Sequence, residues 1–407
     1  MRNTIRFLLE NSVFLIIGAV VGLLWANLDP AGYQALLHFP ILENDLVGEA
    51  HGAHRVITLH YLVNDILMAL FFAIAGKEVW EALLPGGPLS NPRKAASPLI
   101  ATAGGIVVPA LVYLVGAAAI GQLGSLGQGW AVPCATDIAF SYMVARLIFG
   151  AGHAAIPFLL LLAIADDAIG LLIIAVAYPQ GELRPAFLLL AVLAVLLCFA
   201  LRRLRVKSFW PYLLVCGTMS WFGFALSGLH PALGLLPILP ALPHAHVDTG
   251  LFDWSRIEEG DTLSRFEHWW KNPVELILGA FGLLNAGVVL SASGPATYLV
   301  LAGLLIGKPL GVWSFGMFAS KVLRFGLPRG LRSRDLVIIG FAASIGFTVA
   351  LFVSTVAFPA GTAQDAAKMG ALASFVGAAA TWISARLLGV TKVAAADEVS
   401  TDATPPH

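Results

Sequence analysis

From Ile156 to Tyr178 the chain reads IPFLLLLAIADDAIGLLIIAVAY, and its only charges are Asp166 and Asp167. As a helix, with ~1.5 Å rise per residue, this run is long enough to cross a ~30 Å hydrocarbon core. A carboxylate at mid-membrane costs roughly 2.5–3.5 kcal/mol. Two adjacent ones must face water, a counter-charge or a cation. A loop between two short buried helices does not suit flanks this long and apolar.

The rest of the chain repeats the apolar theme. Its 407 residues are 58% hydrophobic and only 12% charged, where a soluble domain carries about 25% charged residues. Mean hydropathy is +0.84. About twelve apolar segments predict an all-α polytopic membrane protein rather than soluble domains. They fall near 11–29, 58–82, 97–119, 131–148, 154–178, 185–201, 209–221, 223–240, 273–291, 296–319, 335–358 and 366–388. The pair 209–221 and 223–240 is short and punctuated by Gly228, Pro231, Gly234, Pro237 and Pro240. Arg2 and Arg6 precede an apolar run without a small-residue cleavage site, which predicts a retained first helix rather than a signal peptide. Residues 1–390 read as one transmembrane domain, and the polar tail 391–407 as a disordered cytoplasmic extension.

Orientation follows from Lys and Arg. With the N-terminus inside, nineteen of the 24 fall in cytoplasmic segments and only Arg55, Arg184 and Lys368 outside. Both termini are then cytoplasmic. Lys77 and Lys308 remain within apolar spans. The net charge of zero offers nothing to nucleic acid. Cys134, Cys198 and Cys216 have no metal-like spacing and read as small buried hydrophobes.

Four buried charges carry the chemistry: Asp137, Asp166, Asp167 and Lys308. Neighbouring helical residues point about 100° apart. One of the adjacent aspartates can pair with Lys308 while the other lines a cavity. A purely structural Lys–Asp pair accounts for one aspartate and leaves two. Pro133 interrupts the helix beside Thr136 and Asp137. Gly340, Ser344, Gly346 and Thr348 permit a second interruption. Broken helices at membrane depth are tolerated where they are buried or line a cavity. Asp137 then suits their positive N-terminal ends and Lys308 the negative C-terminal ends. The triplets of spans three to five and ten to twelve share similar small-polar cores, ATDIAF and ASIGFT, which suggests structural repeats. Carboxylates and hydroxyls are hard donors for Na+, Li+ or H+. No phosphate-binding loop is present, so an ion gradient is the expected energy source and no cofactor is called for.

ATDIAF (135–140), LAIADDAIG (162–170), SGLHPALGL (227–235), LLNAGV (283–288), GLLIGKPLG (303–311) and SIGFT (344–348) together resemble the bacterial NhaA-type sodium/proton antiporters, from about residue 10 to 390. The resemblance implies inverted repeats over spans 3–5 and 10–12, with spans 4 and 11 broken where they cross. It implies that Asp167 is the main sodium ligand and proton carrier, and that Asp166 is its partner, paired with Lys308 in one state. Thr136 and Asp137 would support the site from the fourth span, and Ser344, Gly346 and Thr348 from the eleventh. It further implies electrogenic exchange of Na+ or Li+ for a larger number of protons, shut-down at acidic pH, and residence in the bacterial inner membrane among its lipids. A homodimer joined through the external loop 30–57 is also implied. Candidate pH sensors are Glu78, Glu81, Glu267, His268 and His230. Here Gly76-Lys77-Glu78-Val79-Trp80-Glu81 departs from the family's Gly-Leu-Glu-Val-Lys-Arg-Glu, which predicts a displaced activation pH. A sodium-coupled symporter, an intramembrane aspartyl protease and a channel are the competing classes.

Overall fold

The computed structural model describes residues 12–51, 54–243, 262–390 and 392. The expected disordered tail lies outside these but for Lys392, as does the acidic part of the loop before Thr262. Helices dominate. They are α1 (Val13–Leu28) and α2 (Pro30–Leu37), α3 (Leu59–Leu83) and α4 (Pro92–Ala119). The pair α5 (Leu123–Cys134) and α6 (Ile138–Phe149) follows, then α7 (Ala155–Ala177), α8 (Pro185–Arg203) and α9 (Tyr212–Ser227). Beyond a 3-10 stretch, Pro231–Ala241, come α10 (Thr262–Asn285) and α11 (Pro295–Lys321). The chain closes with the pair α12 (Ser333–Ala343) and α13 (Phe347–Ala357), and α14 (Thr362–Leu387).

Among the described residues six helices are long and apolar enough to cross a membrane, or eight if each bent pair is one span. Their outer faces carry large apolar side chains such as Leu111, Val115, Leu172, Val176, Leu189 and Leu196, all exposed. A surface of that kind suits lipid rather than water.

Three sequence expectations change. The protein is not wholly α: residues 40–58 hold a three-stranded antiparallel sheet, β1 (Pro40–Asn44), β2 (Glu49–His51) and β3 (His54–Thr58), in the order β1-β3-β2. The β-branched run Val56-Ile57-Thr58 in β3, the central strand, favours an extended backbone over a helix. The seventh and eighth segments divide at Gly228, not near residue 222. Gly228 takes a positive φ of 85° at the end of α9, and Pro231 starts the next stretch. Finally, α10 begins at Thr262, well inside the expected loop, and runs through Pro273.

Close helix crossings hold the bundle together. A methyl group at Gly104 or Gly311 would overlap the carbonyl of the other, so only glycine lets α4 and α11 approach this closely. Gly18 of α1 meets the backbone of Gly279 in α10 in the same way. Within α11 a π turn over Gly303–Gly307 immediately precedes Lys308. Gly303 packs on Pro133 and Gly307 on Pro109, which seats this turn against the broken α5 and against α4.

Candidate functional site

The two broken helices meet at their breaks. The α5–α6 pair bends by 52° and the α12–α13 pair by 55°. Each break frees backbone groups that a continuous helix would satisfy, and the partner break takes them up. Asp137 N–H donates to the Ile345 carbonyl at 2.7 Å. The hydroxyls of Thr136 and Ser141 donate to the carbonyls of Ala343 and Ala342, at 3.0 and 2.8 Å, at the C-terminal end of α12. The Asp137 carboxylate accepts from Phe140 N at 3.3 Å and Thr348 N at 3.2 Å, and from the Thr348 hydroxyl. It therefore caps the N-terminal turns of both α6 and α13, where a negative charge is favoured. Ser344 is buried and bonds back to Phe341. A Cβ on Gly346 would sit 2.8 Å from the Ala135 carbonyl, so glycine is required for the breaks to touch.

Lys308, on α11, is fully buried. Its ammonium lies 2.7 Å from Asp166 Oδ2 and also donates to the Cys134 carbonyl, the last of α5. The cation thus neutralises one aspartate and one helix C-terminus together. Asp166 Oδ1 is buried with no hydrogen-bond partner among the described residues. Asp166 lines a cavity of about 30 Å³ together with Asp167, Ala131, Ala135, Phe71 and Phe72. That volume suits one or two water-sized occupants. Asp167, a third of a turn from its neighbour, faces the cavity while Asp166 holds the lysine.

The pH-sensing candidates divide. Lys77 Nζ lies 2.5 Å from both Glu81 and Glu267, tying α3 to α10. Glu78 is adjacent on α3, and His268 is exposed on α10. His230 belongs elsewhere: it is buried, its Nδ1 is 3.8 Å from Asp65 and accepts from Ala232 N, and its ring packs on Phe352. Sequence reasoning missed a reciprocal amide pair, Asn64 with Asn285, which joins α3 to α10 at 3.1 and 2.8 Å. Two asparagines in otherwise apolar spans were the available signal. In the sheet of residues 40–58 burial alone would push the Glu49 carboxyl up. Hydrogen bonds from His60 and Thr58, with the His60 and His38 charges, outweigh that and hold it below its usual value. Among the described residues no group of three or more His, Cys, Asp or Glu side chains converges as a metal centre would.

A family described as Na+/H+ antiporter 1 matches residues 3–385. The chain belongs to the Na+/H+ antiporter 1 family. Among its relatives, the Na(+)/H(+) antiporter NhaA of Jannaschia sp. (strain CCS1) is 53% identical, over 95% of this chain and 98% of that one. The Na(+)/H(+) antiporter NhaA of Geobacter sulfurreducens is 48% identical, over 92% and 95%. The structure of a sodium proton antiporter, MjNhaP1 from Methanocaldococcus jannaschii at pH 8, superposes with a TM-score of 0.53 at 13% identity, covering 93% of this chain and 90% of that one. At that identity the likeness is one of fold.

Proposed function

We propose that this protein exchanges cytoplasmic sodium or lithium for external protons across the bacterial inner membrane, by alternating access, with Asp167 as the shared site. The observation that carries the reading is the division of labour in α7: Asp166 bonded to buried Lys308, Asp167 facing a water-sized cavity beside two broken helices. A carboxylate there holds either a proton or a small cation. Sodium entering would recruit the free Asp166 Oδ1 and compete with Lys308 for the carboxylate. Asp166, Asp167 and Lys308 are three titratable groups for one cation, so more than one proton can leave per sodium and exchange is electrogenic. Lys77, Glu78, Glu81, Glu267 and His268 form the pH-responsive region, with His230 contributing separately through Asp65. We read residues 1–390 as one antiporter domain of twelve spans, counting α1, α9, the 3-10 stretch and α10 with the longer helices, and arranged as inverted repeats. The external sheet joins two copies. Its edge strand β1 carries exposed Ile41 and Leu42, with exposed Phe39 and Leu46 on either side, and an exposed apolar edge seeks a partner.

Two other classes fit less well. A solute symporter needs room for its solute, and about 30 Å³ offers none. An aspartyl protease needs a second free aspartate facing Asp167, and the Asp137 carboxylate is engaged in capping. The deciding experiment uses inside-out vesicles with a pH-sensitive dye. Added sodium or lithium should move protons, and added potassium should not. A response requiring an organic solute, or none at any pH, overturns the reading.

A further inference from the structure

A second cavity, of about 550 Å³, lies where the starts of α7 and α12 come together, on the arginine-rich face expected to be cytoplasmic. Three arginines line it, Arg329, Arg332 and Arg334, together with His153. Asp335 is the one carboxylate among its lining residues, and its Oδ2 accepts from Arg332 N at 2.7 Å to cap α12. None of the three guanidinium groups makes an ion pair with a carboxylate among the described residues. Arg329 and Arg332 are exposed to the cavity's solvent. Arg334 Nη1 is held by the Leu388 carbonyl at 2.8 Å, while its Nε is buried and unpartnered. His153 Nδ1 accepts from Ala155 N at 3.0 Å at the start of α7.

Unpaired arginines around a polar hollow form a fork-rich anion receptor, and phosphate oxygens match that geometry better than a single carboxylate does. The N-terminal ends of two helices, 23 and 11 residues long, border the hollow and add positive potential. We propose that this cavity binds a phosphate-bearing anion, either a phospholipid headgroup of the adjoining leaflet or free phosphate. A basic pocket between helices at a membrane surface suits both sources. The ligand would bridge the helix that carries Asp166 and Asp167 to the one whose broken end meets Asp137. Occupancy would favour the arrangement in which those two starts lie together.

The test is a binding measurement and does not depend on ion exchange. The purified full-length protein in detergent is melted with inorganic phosphate, with phosphatidylglycerol, with phosphatidylcholine, and with chloride at matched ionic strength. Wild type is compared with the double variant Arg329→Gln/Arg332→Gln, whose side chains are exposed and make no bonds among the described residues. A bound anion should raise the wild-type melting temperature by about 2 °C or more at saturation, and not that of the variant. A rise with phosphatidylglycerol alone identifies the lipid headgroup, and a rise with inorganic phosphate identifies the free anion. No rise with either, an equal rise with chloride or phosphatidylcholine, or the same rise in the variant overturns the proposal.

Discussion

Asp167 and Lys308 are the residues on which the proposed chemistry turns. Asp167→Asn keeps the shape of the side chain and removes its ability to exchange a proton for a cation. It should abolish sodium-driven proton movement while the purified protein melts as wild type does; exchange near the wild-type rate would remove Asp167 from its role. Lys308 makes a different demand. It is buried against Asp166 and the end of α5, and deleting it leaves a carboxylate uncompensated. Removing one member of a buried pair costs about 3–5 kcal/mol. Lys308→Ala should therefore lower the melting temperature in detergent as well as impair exchange. An unchanged melting temperature would mean the ion pair contributes nothing in the resting protein.

At the scale of elements the crossings decide. In α4 and α11, Gly104 and Gly311 face each other with no space for a methyl group. Gly311→Ala should force the helices apart, at about 1–3 kcal/mol for overpacking. The same displacement would carry Lys308, one turn earlier on α11, away from Asp166, so exchange should fall together with stability. Wild-type behaviour in both would show that the crossing yields freely. The contact of α3 with α10 rests partly on Lys77, held between Glu81 and Glu267. In Lys77→Leu those carboxylates lose the cation between them and relieve their repulsion by holding a proton. Exchange should then begin at a higher pH than in wild type. Superimposable rate profiles would show that Lys77 does not tune the response, and a shift to lower pH would reverse the sign proposed.

For the whole molecule the proposed dimer makes its own prediction. The sheet of residues 40–58 has β1 and β2 as its edges, with β3 between them. An edge strand with apolar neighbours can pair with the same strand of a second copy, satisfying its free backbone groups. Substituting Ile41 and Leu42 on β1 with lysine should convert a dimer to a monomer in detergent without disturbing the helices. A molecular mass that stays at the dimer value would place the contact elsewhere. The site proposed for sodium exchange lies within one chain, so exchange should persist in the monomer.

The membrane class, the apolar spans and the identity of the charged residues were determined by the sequence alone. Apolar runs of bilayer length leave the backbone few alternatives, and an aspartate in such a run declares itself by its cost. Pro133 and the glycine-rich run to Gly346 likewise marked both helix breaks, because missing donors and small residues act locally. Tertiary structure decided which aspartate faces which way. Adjacent residues in α7 differ only by a rotation, and the position of α11 assigns Lys308 to Asp166 and the cavity to Asp167. It also separated His230 from the Lys77 cluster, paired Asn64 with Asn285, and set Arg329, Arg332 and Arg334 around one hollow. Those are encounters between segments far apart in the chain. Their pairing depends on how whole helices pack, which no local pattern of residues records.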